Sequence, residues 1–147
     1  MASFAYTNFK TILGQGAVDL REAGNDIRCL LVMTNTTADT EEDVATISAF
    51  TTLDEYDGAN YARKTLGSQT MLADNANNRG EFDFADFTWT ALGAGTRQAQ
   101  AAIFYKHVTN DTDSIPLYFV DSGGFPFAGN GGDVTYTVNA EGSLQIT

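Results

Sequence analysis

Two residues of the chain have the chemistry of a hydrolytic centre. Ser122, within Asp121-Ser122-Gly123-Gly124, is the candidate nucleophile, and His107, the single histidine, is the candidate base. A serine becomes a nucleophile only when a base lies within hydrogen-bond distance of its hydroxyl. His107 lies on a neighbouring predicted strand, with no acid placed to orient it. We therefore predict a turn at Ser122, with Gly123 and Gly124 at positive φ, and a surface position at a strand end for His107.

Two groups of acidic residues offer oxygen ligands. They are Asp54-Glu55-Tyr56-Asp57-Gly58 and Asp111-Thr112-Asp113. Carboxylates of this kind can bind Ca²⁺ or form the acid pair of a glycosidase. Neither group has the twelve-residue spacing of a helix-loop-helix calcium site, and nothing selects two of the 19 acids as a catalytic pair. The favoured interpretation is acids that form and solvate turns, with calcium left open, and we predict no enzyme, no metal and no cofactor.

Composition narrows the classes of partner. The chain carries 19 Asp and Glu against 8 Lys and Arg, a formal charge of −11. Such a charge repels phosphate, so we expect neither nucleic-acid nor membrane binding. Cys29 is the only cysteine, and its apolar neighbours predict a buried thiol without a disulfide. Met1–Tyr6 lacks the basic start of a signal peptide, which predicts a protein made and used in solution.

The spacing of apolar residues predicts strands along most of the chain. Residues 27–33 are apolar at nearly every position, which is typical of a strand covered on both faces. Val134, Tyr136 and Val138 alternate with polar residues, which is typical of a half-buried strand. The pattern predicts a single all-β domain over residues 1–147, an antiparallel β-sandwich or jelly-roll-like fold. Further strands are predicted at 81–84, 87–90, 98–107 and 116–121, with a weaker candidate at 65–72.

Turns and short helices complete this outline. Residues 139–142 predict a tight turn, after which Leu144 and Ile146 return as the hairpin partner of 133–138. Asn8 is the predicted N-cap of a helix of one or two turns that stops at Gly14. Residues 40–52 are ambiguous between a helix and a loop, with a loop and turn favoured. The glycines near 93–95 and 129–132 are predicted to form tight turns.

Phe125-Pro126-Phe127 is an aromatic pair in an otherwise polar loop. Two interpretations remain open. The rings can be an exposed anchor for another protein, or the loop can fold back over the end of the sandwich. Two interpretations also remain for the isolated basic residues, which are Arg63-Lys64, Arg79 and Arg97. They can be ordinary surface cations or contacts to an acidic partner.

A set of strand and turn signatures spans nearly the whole chain. They are Asn8-Phe9-Lys10, Asp26–Met33, Asp57-Gly58 before Tyr61, Asn77–Asp83, Phe87-Thr88-Trp89-Thr90, Ala102–Lys106 and Gly131-Gly132-Asp133. In this order the chain resembles a family of small structural proteins encoded by tailed bacteriophages. The resemblance implies a capsid decoration, or cement, protein with a jelly-roll-like fold. Such a protein is made in the host cytoplasm and lies on the capsid surface of the virion.

The function implied is adhesion without catalysis. Such a protein binds the outside of the lattice formed by the major capsid protein of a phage head and stabilises it, and we expect a homodimer or homotrimer. We expect residues 1–14 to act as a contact arm, and the predicted contact residues are Phe4, Tyr6, Phe9, Phe125, Pro126 and Phe127. The alternative is a tail or spike module that binds host surface glycans, with Trp89, Tyr105 and Tyr136 as stacking platforms.

Overall fold

Ten antiparallel strands and one short α-helix make up the fold in the computed structural model, which describes residues 3–147. The all-β prediction is confirmed, and the arrangement is that of a β-sandwich. The elements are β1 (Phe4–Ala5), α1 (Thr7–Gly14), β2 (Ile27–Met33), a 3₁₀ turn (Ile47–Ala49), β3 (Lys64–Thr65), β4 (Thr70–Asp74), β5 (Arg79–Asp83), β6 (Phe87–Leu92), β7 (Ala99–Lys106), β8 (Ile115–Val120), β9 (Gly132–Tyr136) and β10 (Leu144–Ile146).

The first layer is a five-stranded sheet in the order β1-β8-β7-β2-β3. β2 lies inside it and pairs with β7 from Ile27 opposite Lys106 to Met33 opposite Ala99. Both faces are covered, because Cys29 and Leu31 pack in one apolar cluster and Leu30 and Val32 in another. Burying each large apolar side chain contributes about 1.5–3 kcal/mol relative to exposure. The prediction of a strand covered on both faces is therefore confirmed, as is the buried thiol of Cys29.

The second layer is a ribbon in two parts, and it corrects the predicted terminal hairpin. β9 pairs with β6, whereas β10 pairs with β5, which also pairs with β4. Residues 139–143 form a turn, but the Ser143 N–H donates to the Phe82 carbonyl at 2.8 Å and directs the chain onto β5. The predicted alternation holds, since Val134, Tyr136 and Val138 are half-buried. Alternation identifies the buried face of a strand but not the strand beside it.

The N-terminal helix differs from its prediction at its first residue. α1 begins at Thr7, and Tyr6 occupies the N-cap position without a side-chain cap. Asn8 lies inside the helix, where its Nδ2 donates to the Ala45 carbonyl at 3.1 Å. The favoured loop over residues 40–52 is confirmed apart from the 3₁₀ turn, and the weak strand over 65–72 is two strands, β3 and β4. The described residues include no helix with the length and apolar character needed to cross a membrane.

Candidate binding groove

A groove of about 710 Å³ lies between β9 and the loop that follows β8. We call it the β9 groove. One wall is β9 with the chain that follows it. The opposite wall is the loop of residues 122–128, the loop wall, which follows β8 of the first layer. Every residue from Asp133 to Asn139 lines the groove. Because neighbouring side chains of a strand point to opposite faces, this continuous lining shows that the groove runs along the edge of the strand.

The backbone of β9 is paired on one side only. β6 and β9 form a two-stranded sheet, and the part of the chain that the structure describes places no strand on the other edge of β9. The Val138 N–H points toward β6, where it donates to the Asp86 carboxylate at 2.8 Å. Backbone groups alternate in direction along an antiparallel strand. Val134 and Tyr136 therefore hydrogen-bond toward β6, and the N–H and C=O of Thr135 point into the groove.

A side-chain contact supports this register. Thr88 lies opposite Thr135, and their hydroxyl oxygens are 2.8 Å apart. Opposed side chains approach most closely at the pairs of an antiparallel ladder that do not share backbone hydrogen bonds. Thr88 and Thr135 form such a pair, so the backbone of Thr135 is directed away from β6.

The loop wall is held by its backbone. Phe127 exchanges two hydrogen bonds with Ala99 of β7, at 2.8 and 3.0 Å. Gly123 and Gly124 have φ of 72° and 119°, which confirms the predicted turn. Phe125 and Phe127 are half-buried with ring centroids 5.5 Å apart, and Pro126 is exposed. The loop therefore folds back against the sandwich and still presents part of both rings to the groove.

The Tyr56 hydroxyl fixes the far end of this wall. It donates to the Gly93 carbonyl at 2.8 Å and accepts the N–H of Gly95 at 2.9 Å and of Gly129 at 3.1 Å. A Cβ on Gly129 would overlap the Gly93 carbonyl oxygen. Gly129 is therefore required for close backbone packing around Tyr56, and Gly93 for close packing against Ala59, where tight turns were predicted from sequence.

A second loop junction lies around Arg63, and we call Arg63, Glu55 and Asp111 the Arg63 clamp. The guanidinium donates to Glu55 at 2.6 and 2.8 Å and to Asp111 at 2.5 and 2.8 Å. It also lies 5.4 Å from the ring centroid of Tyr105. Hydrogen bonds from Arg63 lower the pKa of Asp111, and those to Glu55 and Asp111 raise the pKa of Arg63. The clamp joins the chain before β3 to the loop between β7 and β8.

The other acids of the two candidate calcium groups also have donors. Asp54 pairs with Arg97 and accepts the Asn35 N–H at 2.9 Å. Asp57 accepts the Thr96 N–H at 2.7 Å. Asp113 closes a turn by accepting the N–H groups of Thr109 and Asn110, both at 2.9 Å. Donors from the chain itself thus engage the oxygens that a Ca²⁺ ion would take.

One further group of carboxylates has the proximity of a metal site: Asp74, Glu81 and Glu141. The Arg79 guanidinium pairs with all three, at 3.2 Å from Asp74 and 2.7 Å from Glu81. Arg63 and Arg97 are paired within the chain in the same way. These three arginines, considered from the sequence as contacts to an acidic partner, are engaged by acids of the chain itself.

The candidate hydrolytic pair is not assembled. Lys106 lies opposite Ile115 at one end of the β7–β8 pair, next to His107. Ser122 lies seven residues beyond Ile115, roughly 23 Å at the rise of an extended strand. There the Ser122 hydroxyl oxygen is 3.4 Å from that of Ser3. His107 Nδ1 instead lies 3.3 Å from the hydroxyl oxygen of Ser114, which is buried and donates to the Asn110 carbonyl.

The predicted contact arm is largely part of the fold. Of residues 1–14, Met1 and Ala2 lie outside the described residues. Phe4 is half-buried and pairs with Phe119 in the sheet. Tyr6 and Phe9 are 0% and 1% exposed. The Tyr6 hydroxyl donates to the Ala38 carbonyl at 2.9 Å. This placement corrects the expectation for Tyr6 and Phe9: both side chains are core residues and are not available to contact a neighbouring molecule.

The predicted glycan platforms are also mostly internal. Trp89 is 1% exposed and its indole N–H donates to the Ala62 carbonyl at 2.8 Å, and Tyr105 is fully buried. Tyr136 lines the groove, where burial raises the pKa of its hydroxyl to about 12. Sequence reasoning placed Phe125 and Phe127 but missed the wall formed by Asp133–Asn139. Finding this wall requires knowing which strands pair with β9, because only a strand without a second neighbour has an open edge. The sequence pattern does not contain that information.

Searches against protein-family models, curated proteins and solved structures find no match for this chain.

Proposed function

We propose that this chain is a non-enzymatic decoration protein of a phage capsid, which binds the outside of the major capsid protein lattice and stabilises the head. The observation that carries the proposal is the β9 groove. In it, the open edge of β9 faces the loop wall, which is fixed in position and carries two partly exposed aromatic rings. Cementing requires adhesion by a surface that keeps its shape under load, because contact area and hydrogen bonds hold the joint. The loop wall meets this requirement through Ala99 and Tyr56.

The charge of the chain suits the same role. At −11, free copies repel one another and stay dispersed until they meet a surface of opposite charge. Arg63, Arg79 and Arg97 are engaged within the chain. The attraction therefore has to come from basic or mixed patches on the shell. On the capsid surface, the chain would act as a homodimer or homotrimer at the joints between shell subunits.

Heads of the phage that encodes this chain provide the test. Heads assembled without the chain would be compared with heads to which purified protein is added back, and DNA release would be measured on heating and in low salt. We expect co-sedimentation of the protein with the heads and a higher release temperature. The variant Asn75→Ala, at an exposed turn between β4 and β5, should restore stability as fully as the unaltered protein. Heads that resist heat and low salt equally without the chain would contradict cementing.

The glycan-binding alternative is supported by the size of the groove and by Tyr136. A volume of about 710 Å³ lies within the range of small-molecule sites. Against it, Trp89 and Tyr105 are core residues. Saturation-transfer NMR with host surface oligosaccharides tests it directly: transfer lost in Tyr136→Ala would favour the tail or spike role. Labelling the protein in intact particles for electron microscopy would then place it on the head or on the tail.

A further inference from the structure

We propose that the β9 groove binds an extended, lysine- or arginine-bearing segment of the capsid protein, which adds to the free edge of β9 as a further strand. This inference rests on the proposed function and names what the groove would hold. The joint would be made mainly by backbone hydrogen bonds, and side chains on either wall would select the segment.

The backbone of β9 provides the first argument. Thr135 directs its N–H and C=O into the groove, and Thr137 shares its direction by alternation along the chain, since the Val138 N–H points toward β6. An open edge of this kind is a template for another strand. β9 has five residues, so its edge is roughly 17 Å long at the rise of an extended chain and matches a segment of similar length.

The loop wall provides the second argument. A strand added to β9 would lie between that edge and the loop wall, with alternate side chains directed at Val120, Phe125 and Phe127. These residues are half-buried and pack against the core. Small or branched apolar side chains at alternate positions of the segment would cover the remaining exposed part of the rings, which favours a segment with period-two apolar spacing.

Charge provides the third argument and selects the occupant. Asp133 is the one charged residue among the described residues that line the groove. Its carboxylate accepts the Ala91 N–H at 2.8 Å, the carboxylate of Asp86 accepts the Val138 N–H at the other end of the wall, and the whole chain carries −11. A second copy of this chain would bring the same charges to the same edge. A basic segment instead gains favourable electrostatics and faster association.

A peptide of nine residues that alternates valine and lysine is the probe, followed by amide chemical shifts of the ¹⁵N-labelled protein. We expect shifts centred on Thr135 and Thr137. The matched peptide of valine and glutamate should bind at least about tenfold more weakly. Methylating alternate backbone nitrogens of the valine–lysine peptide, on the edge that faces β9, should weaken binding by about tenfold or more while its side chains are retained.

Substitutions in β9 test the same edge from the protein side. Thr135→Pro removes the N–H that points into the groove, and Thr135→Val is the matched control, because it removes the hydroxyl but keeps that N–H. We expect the proline variant to lose peptide binding and the valine variant to keep it. Equal binding by methylated and unmethylated peptides in both registers, or shifts away from β9, would overturn strand addition. Self-association of the protein through β9 without peptide would instead identify a second copy as the occupant.

Binding to heads separates this inference from the proposed function. If the unaltered protein and Thr135→Pro bind heads equally, the cement role stands and strand addition is wrong. If the protein binds the peptide through β9 but does not bind heads, the strand-addition site stands without a capsid partner. Binding to heads that the valine–lysine peptide inhibits, and that Thr135→Pro lacks, supports both.

Discussion

In the Arg63 clamp, one guanidinium forms ion pairs with two carboxylates. The side chains of Arg63 and Glu55 are only 23% and 28% exposed. In the β9 groove, the loop wall is equally well fixed, but the edge of β9 opposite it has no strand to pair with. Both regions join parts of the chain that are distant in sequence. In the clamp the polar groups satisfy one another, whereas in the groove the backbone groups of β9 remain available.

This difference separates the residues that hold the fold from those able to bind. A half-buried charge with all its partners in the same chain holds the loops it joins, is costly to lose one partner at a time, and offers little to a second molecule. A strand edge bounded by a rigid wall offers unpaired donors and acceptors at fixed positions. Substitutions in the clamp should therefore change stability, and substitutions at the open edge should change binding with little effect on stability.

Among substitutions that only shorten a side chain, the largest effect on stability is expected for Arg63→Ala. Its removal leaves Glu55 and Asp111 close together without their shared cation and deletes the contact with Tyr105. Because the clamp is partly exposed, we expect a loss of about 2–3 kcal/mol, below the range for fully buried pairs. At this chain length that corresponds to a fall in Tm of roughly 5–10 °C, measured by calorimetry.

Arg21→Ala is the matched control for that prediction. Arg21 also pairs with an aspartate, Asp19, but its side chain is 70% exposed. Exposed pairs contribute little because water screens them. The Tm of the control should stay close to that of the unaltered protein. Equal losses for the two arginines would show that the clamp is no more than a surface pair.

The next effect is expected at the fixed wall of the groove. Tyr56→Phe removes the hydroxyl that serves Gly93, Gly95 and Gly129 while retaining the ring. Backbone groups that are buried at Gly129 and half-buried at Gly93 and Gly95 would lose this partner, which should cost about 2 kcal/mol in unfolding free energy, measured by urea denaturation. Tyr136→Phe is the control, since it removes a hydroxyl elsewhere in the groove without touching those glycines. If Tyr56→Phe is as stable as the control, the wall does not depend on this hydroxyl.

A strand with both faces covered could be predicted from the sequence, whereas the pairing of the last strand could not. Residues 27–33 are apolar at nearly every position because both faces are covered, so sequence alone identifies β2. The partner of residues 144–146 depends instead on the bond from the Ser143 N–H to Phe82, which is remote in sequence. A local pattern has no information about that choice, and the predicted hairpin was wrong for this reason.

The candidate site was predictable only in its aromatic half. Phe125 and Phe127 were identifiable as hydrophobic residues in a polar loop, although the sequence did not decide between an anchor and a cover. In the structure they are half-buried, so each ring serves the core and the groove together. The other half of the site is the backbone of β9. Its edge is open because no strand pairs with β9 on the side away from β6 in the described residues. Residue types do not encode that property.

Acid should weaken the clamp more than the groove. The pKa of Asp111 is lowered in the folded protein by its hydrogen bonds to Arg63. A lowered pKa stabilises the fold above the ordinary aspartate value of 3.8, and this contribution is lost as the pH falls through the folded value. The urea midpoint should therefore fall between pH 7 and strongly acidic conditions, and fall less in Asp111→Asn. A midpoint with the same pH dependence in both proteins would contradict a stabilising role for this carboxylate.

The smallest effect on stability is expected at the open edge of β9. Thr135→Pro removes an N–H that has no ladder partner, and proline is tolerated where the N–H of an edge strand faces solvent. We expect a loss of at most about 1 kcal/mol, part of it from the hydroxyl contact with Thr88. Val134→Pro, one residue earlier, removes an N–H directed at β6 and should cost about 3 kcal/mol. Both losses would be measured from urea midpoints, and a larger loss for Val134→Pro indicates that only the edge facing β6 is paired. Comparable losses would mean that both edges of β9 are paired in solution and that the groove is closed.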